Sequence, residues 1–523
     1  MSRLQNFDQF QLFSFNIEQY LPLDHWVFLL DEILNSLDYS GLTWKTGVNA
    51  TNQESFEKKL LAKLWLAGYF KRVRSCRQLA DVCKNDIGFI FLLRNAESPN
   101  KSTLNDFRKQ NLDQLSKILA QTVCVAKDFG LLSGHVSIDG TKVKANASIK
   151  NHLDKKKLSE SFTELEKKCK EYLNSVKDND KQELHEEIES KLKVTEERKK
   201  KIKDKLKLLE ALNKEKHNTT DPDCSMMKDC GQYYDGYNAQ AATDNQFVIF
   251  TSVSNEANDL NQLEPMVEGC LKQEGYKLSA VTCDAGYENG EHLSNLENKG
   301  VDVLTASQER NNQGGELFGV KDFTYVEEND KFSCPNGKEL AFDRERDDKS
   351  KKRKARKIRL YKSSEEDCKA CPVKNQCLSK RRKVRELKVS KYFKAIDENK
   401  RKGKTESGRN RFKNRKTDVE CVFGQIKGHI GVLHFNLKSL NKIKGEWLLI
   451  CLGHNLRKLV SHKRKISLRK RIEVFKTIYF LIFLIFHTGK LKKIEFYFTK
   501  CEQNQRKWLK NQPFFKLIKK FNF

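Results

Sequence analysis

The sequence has no apolar run long enough to cross a lipid bilayer. Its longest run, from Ile478 to Phe486, has nine residues, whereas a transmembrane helix needs about 20. The first residues, MSRLQNFDQFQ, also lack the basic region and apolar stretch of a secretory signal. We therefore expect a cytosolic protein that has no membrane partner.

Acidic residues are scarce compared with basic ones. The 523 residues include 70 Asp and Glu against 99 Lys and Arg, which gives a formal charge of +29. A positive excess of this size favours a polyanionic partner, and nucleic acid is the commonest one. The length predicts several domains rather than one core.

The cysteines lack the pattern of a disulfide framework, because their number, fifteen, is odd and they are scattered along the chain. In the cytosol they are expected to be reduced thiols. One group stands apart: Cys368 and Cys371 form a CxxC pair, with Cys377 nearby and Cys334 upstream. These four could hold a structural Zn²⁺, although Cys334 has no CxxC partner of its own. Four reduced thiols packed in a small insertion are the alternative.

Residues 1–130 are predicted to form an all-α DNA-binding domain. Apolar residues recur there at helical spacing. Arg72, Arg74 and Arg77 lie between short predicted helices, an arrangement that suits a helix-turn-helix reader of DNA. A plain helical bundle explains the same pattern and stays open as an alternative.

The composition changes after residue 130. Strand-like segments now occur among helical ones, which predicts an α/β domain over residues 131–460. Two insertions are expected to interrupt it: a charged helical hairpin at 153–220 and a basic, cysteine-containing segment at 332–400. Residues 461–523 are predicted to form a basic C-terminal tail.

Three acidic residues are candidates for a metal site. Asp139 and Asp284 each follow a strand-like stretch and precede a glycine-containing turn, where open α/β sheets place their ligands. Glu420 lies on a predicted helix and shares one face with Gly424 and Lys427, at i, i+4 and i+7. Mg²⁺ prefers carboxylate oxygens, and two such ions about 4 Å apart can cut and rejoin a phosphodiester. Taken singly, these acids are equally compatible with turn formers and an ordinary amphipathic helix.

Four segments together resemble a known family. In chain order they are IDGTKVKANAS (138–148), GYNAQ (236–240), CDAGY (283–287) and VECVFGQIKG (419–428). This combination is similar to bacterial insertion-sequence transposases of the DDE superfamily, and the resemblance extends over roughly residues 10 to 460.

The resemblance implies a ribonuclease-H-like catalytic fold with a mixed sheet. It implies that Asp139, Asp284 and Glu420 bind two Mg²⁺ ions, for which Mn²⁺ can substitute. The implied reaction is cut-and-paste transposition, in which DNA is cleaved at the ends of the element and joined to target DNA. The implied partners are the terminal inverted repeats, the target DNA and a second copy of the chain. The implied location is the bacterial cytosol, in association with the nucleoid.

The signature of Tyr, Arg, Glu and Lys in this family maps onto Phe412, Arg415, Glu420 and Lys427. Phe412 replaces the tyrosine and lacks its hydroxyl group. Four residues separate Arg415 from Glu420, against three in the strictest form, so Lys416 is a second candidate for the phosphate contact. Two other functions remain open: an inactive or domesticated DNA-binding protein derived from a transposase, and a host nuclease of the same fold.

Overall fold

A computed structural model describes residues 21–22, 24–44, 56–94, 96–177, 182–229, 231–307, 317–348, 356–379 and 381–488. Part of the predicted basic tail, residues 489–523, therefore lies outside the described residues. The described part is a mixed α/β protein in which N-terminal helices pack beside a central sheet.

The N-terminal region is helical, as its apolar periodicity predicts. Its largest fully buried side chains include Trp65 and Tyr69, which lie on one helix and form the centre of the helical packing. Asp86 caps the fourth helix by accepting hydrogen bonds from the backbone N–H groups of Gly88 and Phe89. The helices are α1 (Trp26–Asn35), α2 (Lys58–Phe70), α3 (Cys76–Asn85), α4 (Ile87–Leu93), α5 (Lys101–Asn111) and α6 (Leu115–Asp128).

The central sheet is mixed. Its strands and those of a short ladder beside it are β1 (His135–Lys144), β2 (His152–Asp154), β3 (Lys216–Asn218), β4 (Ser225–Asp229), β5 (Gln232–Asp244), β6 (Phe247–Ser254), β7 (Ala280–Cys283) and β8 (Asp302–Thr305). The strand order is β4-β5-β1-β7-β8, and β6 also pairs with β5. β5 is antiparallel to β1, whereas β7 and β8 are parallel to it. This order and direction are consistent with the ribonuclease-H-like fold, so the predicted fold class is confirmed.

Helices flank the sheet and extend from it. Two long charged helices, α7 (Lys155–Lys177) and α8 (Gln182–Ala211), extend from the β2–β3 ladder. They lie within the segment predicted as a helical hairpin. Two shorter helices, α9 (Leu263–Leu271) and α10 (Gly290–Asn298), connect β6 to β7 and β7 to β8.

The cysteine-containing segment builds its own antiparallel sheet, in the order β13-β12-β11-β10-β9. Phe332 and Tyr361 form the centre of its small separate core. The elements are β9 (Thr324–Val326), β10 (Lys331–Ser333), β11 (Glu339–Asp348), β12 (Arg356–Ser363), α11 (Glu365–Lys369), α12 (Lys374–Cys377) and β13 (Glu386–Ser390).

The C-terminal helices connect all these parts. They are α13 (Phe393–Lys404), α14 (Glu406–Arg415), α15 (Cys421–Gly424) and α16 (Leu440–Thr488), with π-helical turns at Lys416–Glu420 and Gln425–His429 on either side of α15. α16 packs against β6 on one side and against α2 and α6 on the other. It therefore joins the N-terminal helices to the sheet, and it crosses the predicted start of the tail at residue 461 without a break. Within the described ranges, no helix is both long and apolar enough to span a membrane.

Candidate active site

Two of the predicted acids lie at the same edge of the central sheet. The parallel pairing of β1 with β7 sets Ile138 opposite Cys283. Asp139 is the next residue on β1 and Asp284 directly follows the end of β7, so the sheet register alone brings them together. The backbone N–H of Gly140 donates a hydrogen bond of 2.8 Å to Asp139 Oδ1 and holds this carboxylate in place.

The third acid reaches this edge from a helix, and one arginine contacts all three. Arg415 Nη1 lies 3.0 Å from Asp139 Oδ2, and Nη2 lies 3.0 Å from Glu420 Oε1 and 3.9 Å from Asp284 Oδ1. The Arg415 side chain is only 11% exposed. Carboxylates from three distant parts of the chain thus surround a single buried positive charge.

A π-helical turn explains why Arg415 and Glu420 point the same way. Five positions separate them, a spacing that would place them on different faces of a regular α-helix. The π turn at Lys416–Glu420 bonds residues five apart and so brings i and i+5 onto one face. The extra residue in the sequence signature is accommodated here, and Arg415 rather than the exposed Lys416 contacts the acids.

Burial has the largest effect on the pKa of Asp139. Burial and, to a smaller extent, nearby Asp284 raise the pKa of Asp139, whereas Arg415 and the Gly140 N–H lower it, and the net result is a pKa of about 6. The Arg415 guanidinium therefore does not fully offset the effect of burial on this carboxylate. Additional positive charge at this edge would favour the ionised carboxylates.

A second buried acid fixes the helix that carries Glu420. Asp418 Oδ1 accepts a hydrogen bond of 2.5 Å from the backbone N–H of Gln246, in the β5–β6 turn. The Gln246 side chain donates in return to the carbonyl oxygen of Thr417 at 3.0 Å. These contacts anchor the π turn to the sheet two residues before Glu420.

The structure also places Asp259 near this site, although the sequence did not indicate it. Asp259 Oδ1 accepts hydrogen bonds from Asn238 Nδ2 at 2.7 Å and Gln240 Nε2 at 2.6 Å, both on β5. A Cβ atom added to Gly140 would lie 2.6 Å from the same oxygen. Asp259 lies in a polar loop after β6, and no sequence pattern around it marks a site. The buried polar Asn238 and Gln240, which alternate with alanines on β5, are the one signal that could have indicated a partner.

The predicted DNA-contacting residues fall into two groups. Arg72, Arg77 and Lys416 are exposed, and Lys427 is half-buried. Arg74, in contrast, is buried: its Nη1 lies 3.6 Å from Glu446 Oε1 and donates to the carbonyl oxygen of His434 at 3.1 Å. Arg74 therefore ties the connection between α2 and α3 to the C-terminal region and is not available at the surface.

The four predicted zinc ligands, Cys334, Cys368, Cys371 and Cys377, line one cavity in the small sheet's domain. No cysteine among the described residues forms a disulfide. Across the described ranges, no three His, Cys, Asp or Glu side chains are already arranged to hold a metal ion. At the carboxylate cluster, Arg415 contacts the acids instead.

Comparison with known proteins gives two family matches. Residues 333–460 match the family model described as "Transposase DDE domain". Residues 15–110 match the model described as "Transposase domain (DUF772)". The first match includes Arg415 and Glu420 but begins after Asp139 and Asp284. No curated protein gives a match to the chain.

Proposed function

We propose that the chain catalyses cut-and-paste transposition, because residues 333–460 match a transposase DDE domain and residues 15–110 match a second transposase domain. In this reaction the protein cleaves DNA at the ends of an insertion sequence and transfers the freed strands into target DNA. We assign residues 131–460 to catalysis and residues 1–130 to recognition of the terminal repeats.

The observation that carries this proposal is the convergence of three carboxylates on Arg415. Asp139, Asp284 and Glu420 supply only oxygen ligands, the type that Mg²⁺ and Mn²⁺ prefer. These carboxylates already hold one positive charge, the Arg415 guanidinium, at this point, so the residues present fit a divalent cation. Two bound ions would supply activation of the attacking oxygen and stabilisation of the leaving oxygen.

The roles of the protein's own residues follow from their placement. Asp139, Asp284 and Glu420 hold the ions, and Asp418 keeps the Glu420 helix at the edge of the sheet. Arg415 exchanges its carboxylate partners for a DNA phosphate, which a planar guanidinium binds in a bidentate manner.

The surface charge supports DNA as the partner. Lys416 and Lys427 lie on the helical segment that carries Glu420, and Arg72 and Arg77 lie on the N-terminal region. Phosphate contacts of this kind weaken steeply with salt, because binding releases counterions. Pairing of two element ends requires at least two copies of the chain, so we propose a homodimer on DNA, acting in the cytosol at the nucleoid.

The test is Mg²⁺-dependent cleavage and strand transfer on DNA that carries the terminal repeats. We expect activity in the wild type and loss of at least 100-fold in Glu420→Gln, which keeps the size of the side chain and removes its charge. Glu406→Gln is the matched control, because Glu406 is exposed at the start of α14. Both variants should bind DNA as the wild type does.

Each other outcome identifies a different function. A wild-type protein that binds the repeats but never cuts them would be a DNA-binding protein derived from a transposase. A protein that cuts without joining would be a nuclease. Full activity in Glu420→Gln would contradict the assignment of the third acid.

A further inference from the structure

The domain of the small sheet contains a cavity lined by cysteines from three separate places in the chain. Cys334 follows β10, Cys368 lies in α11, Cys371 follows that helix and Cys377 ends α12. The cavity has a volume of about 20 Å³. That is enough for one water-sized guest, and hence for a single ion rather than a larger cofactor.

The backbone around Cys334 forms a tight turn that directs an N–H group at its sulfur. The Lys338 N–H donates to Cys334 Sγ at 3.3 Å, and the Cys334 N–H donates to the Lys338 carbonyl at 2.7 Å. Gly337 makes the turn possible, because its φ of +74° is one that residues with a side chain rarely adopt. An N–H group donated to sulfur favours the thiolate over the thiol.

Basic residues line the same cavity. Lys338, Lys374 and Arg385 are among the lining residues, and Arg385 is fixed by donating to the carbonyl oxygen of Cys377 at 2.8 Å. Positive charge near thiols favours their ionised form, which is the form that binds metals. At Cys377 burial raises the pKa of the thiol and Arg385 opposes that rise, so the basic residues favour the thiolates that a metal binds.

We propose that Cys334, Cys368, Cys371 and Cys377 bind one structural Zn²⁺ in tetrahedral coordination. Four thiolates are a complete ligand set for a structural zinc site, which leaves no position for a substrate. Cys368 Sγ now contacts Ser363 Oγ at 2.9 Å, so binding requires this side chain to turn from the hydroxyl group to the ion. The proposal is independent of whether the protein transposes DNA.

A zinc ion held by these cysteines would crosslink the domain of the small sheet and stabilise its fold. Its separate core has only seven buried residues among those that the structure describes, and domains with small cores commonly depend on a metal or disulfides. The Phe332 ring in this core packs against Phe393 of α13 at 5.2 Å between centroids. Since α13 leads into α14, which ends at Arg415, the zinc site would also help to hold Arg415 in position.

Metal analysis of the full-length wild-type protein, purified under reducing conditions, tests the proposal directly. We expect one zinc per chain by mass spectrometry of the metal content. X-ray absorption at the zinc edge should show a shell of sulfur alone, near 2.3 Å. Extraction of the ion with a strong chelator should lower the thermal unfolding midpoint.

The zinc content of cysteine variants tests which residues bind the ion. Cys371→Ser and Cys368→Ser should each lose most of the bound zinc. The control Cys124→Ser should retain it, because Cys124 lies on α6 and does not line the cavity. Three results would overturn the proposal: protein without zinc that also fails to take up added Zn²⁺, a zinc shell containing nitrogen or oxygen in the wild type, or a Cys368–Cys371 disulfide in place of the ion. The wild-type measurements decide the matter even if the variants fail to fold.

Discussion

Arg415 donates a hydrogen bond of 3.0 Å to Asp139 across 276 positions of the chain. This pair joins the first strand of the sheet to the helix that carries Glu420, and it does so at the point where we propose that metal ions bind. The guanidinium and a divalent cation are therefore expected to compete for the same carboxylates.

The competition can be measured with Arg415→Gln. Without metal this variant should be less stable than the wild type, by about 2 kcal/mol, because it leaves the half-buried Asp139 carboxylate without its cation. Added Mg²⁺ should raise its thermal midpoint by more than it raises that of the wild type. Arg411→Gln is the control, since Arg411 pairs with Asp302 at 2.7 Å outside the cluster, and its response to Mg²⁺ should match the wild type. An equal response in all three proteins would disprove the competition.

Asp259 is expected to contribute to activity although it lies outside the predicted triad. Asp259→Asn retains an oxygen that accepts from Asn238 and Gln240, but it removes a negative charge beside Gly140. We expect cleavage to fall at least 10-fold, with a higher Mg²⁺ concentration needed for half-maximal rate. Thermal stability should change little. An unchanged Mg²⁺ dependence would assign Asp259 a purely structural role.

His454 on α16 should make the stability depend on pH. Its Nε2 lies 2.8 Å from the carbonyl oxygen of Gln246, and burial lowers its pKa from 6.5 to about 4. The unfolded chain therefore binds the proton first, and stability is lost as the pH falls from about 6.5 towards 4. The loss is on the order of 3 kcal/mol at its limit. Urea unfolding between pH 6.5 and 4 should show a smaller fall in the free energy of unfolding for His454→Gln than for the wild type. An equal fall in both proteins would assign the pH dependence to other groups.

The N-terminal arginines should separate DNA binding from stability. Arg72→Ala and Arg77→Ala are expected to weaken binding to DNA, with a salt dependence reduced by about one unit per residue, and to leave unfolding unchanged. Arg74→Ala should instead destabilise the protein, because the buried Glu446 carboxylate would lose its positively charged partner. Filter binding at several salt concentrations and thermal unfolding distinguish the two effects. Normal stability of Arg74→Ala would contradict the buried role.

The fold class could be predicted from the sequence because it depends on local patterns. Helical periodicity marked the N-terminal helices, and strand-like segments that end at Asp139 and Asp284 marked two strands of the sheet. Val419, Val422 and Ile426 are apolar residues at helical spacing on the Glu420 helix, and all three are buried. The resemblance to DDE transposases, carried by several short segments in order, is confirmed by two family matches.

The sequence by itself determined which residues have the chemistry: the acids, the basic residues and the four cysteines. Only the tertiary structure decided where each one points. It turned Arg415 towards the acids through a π turn that no local propensity reveals, buried Arg74 against Glu446, and brought Asp259 onto two amides of β5. These contacts join residues far apart in the chain, and their energies arise only after the sheet and helices have packed together.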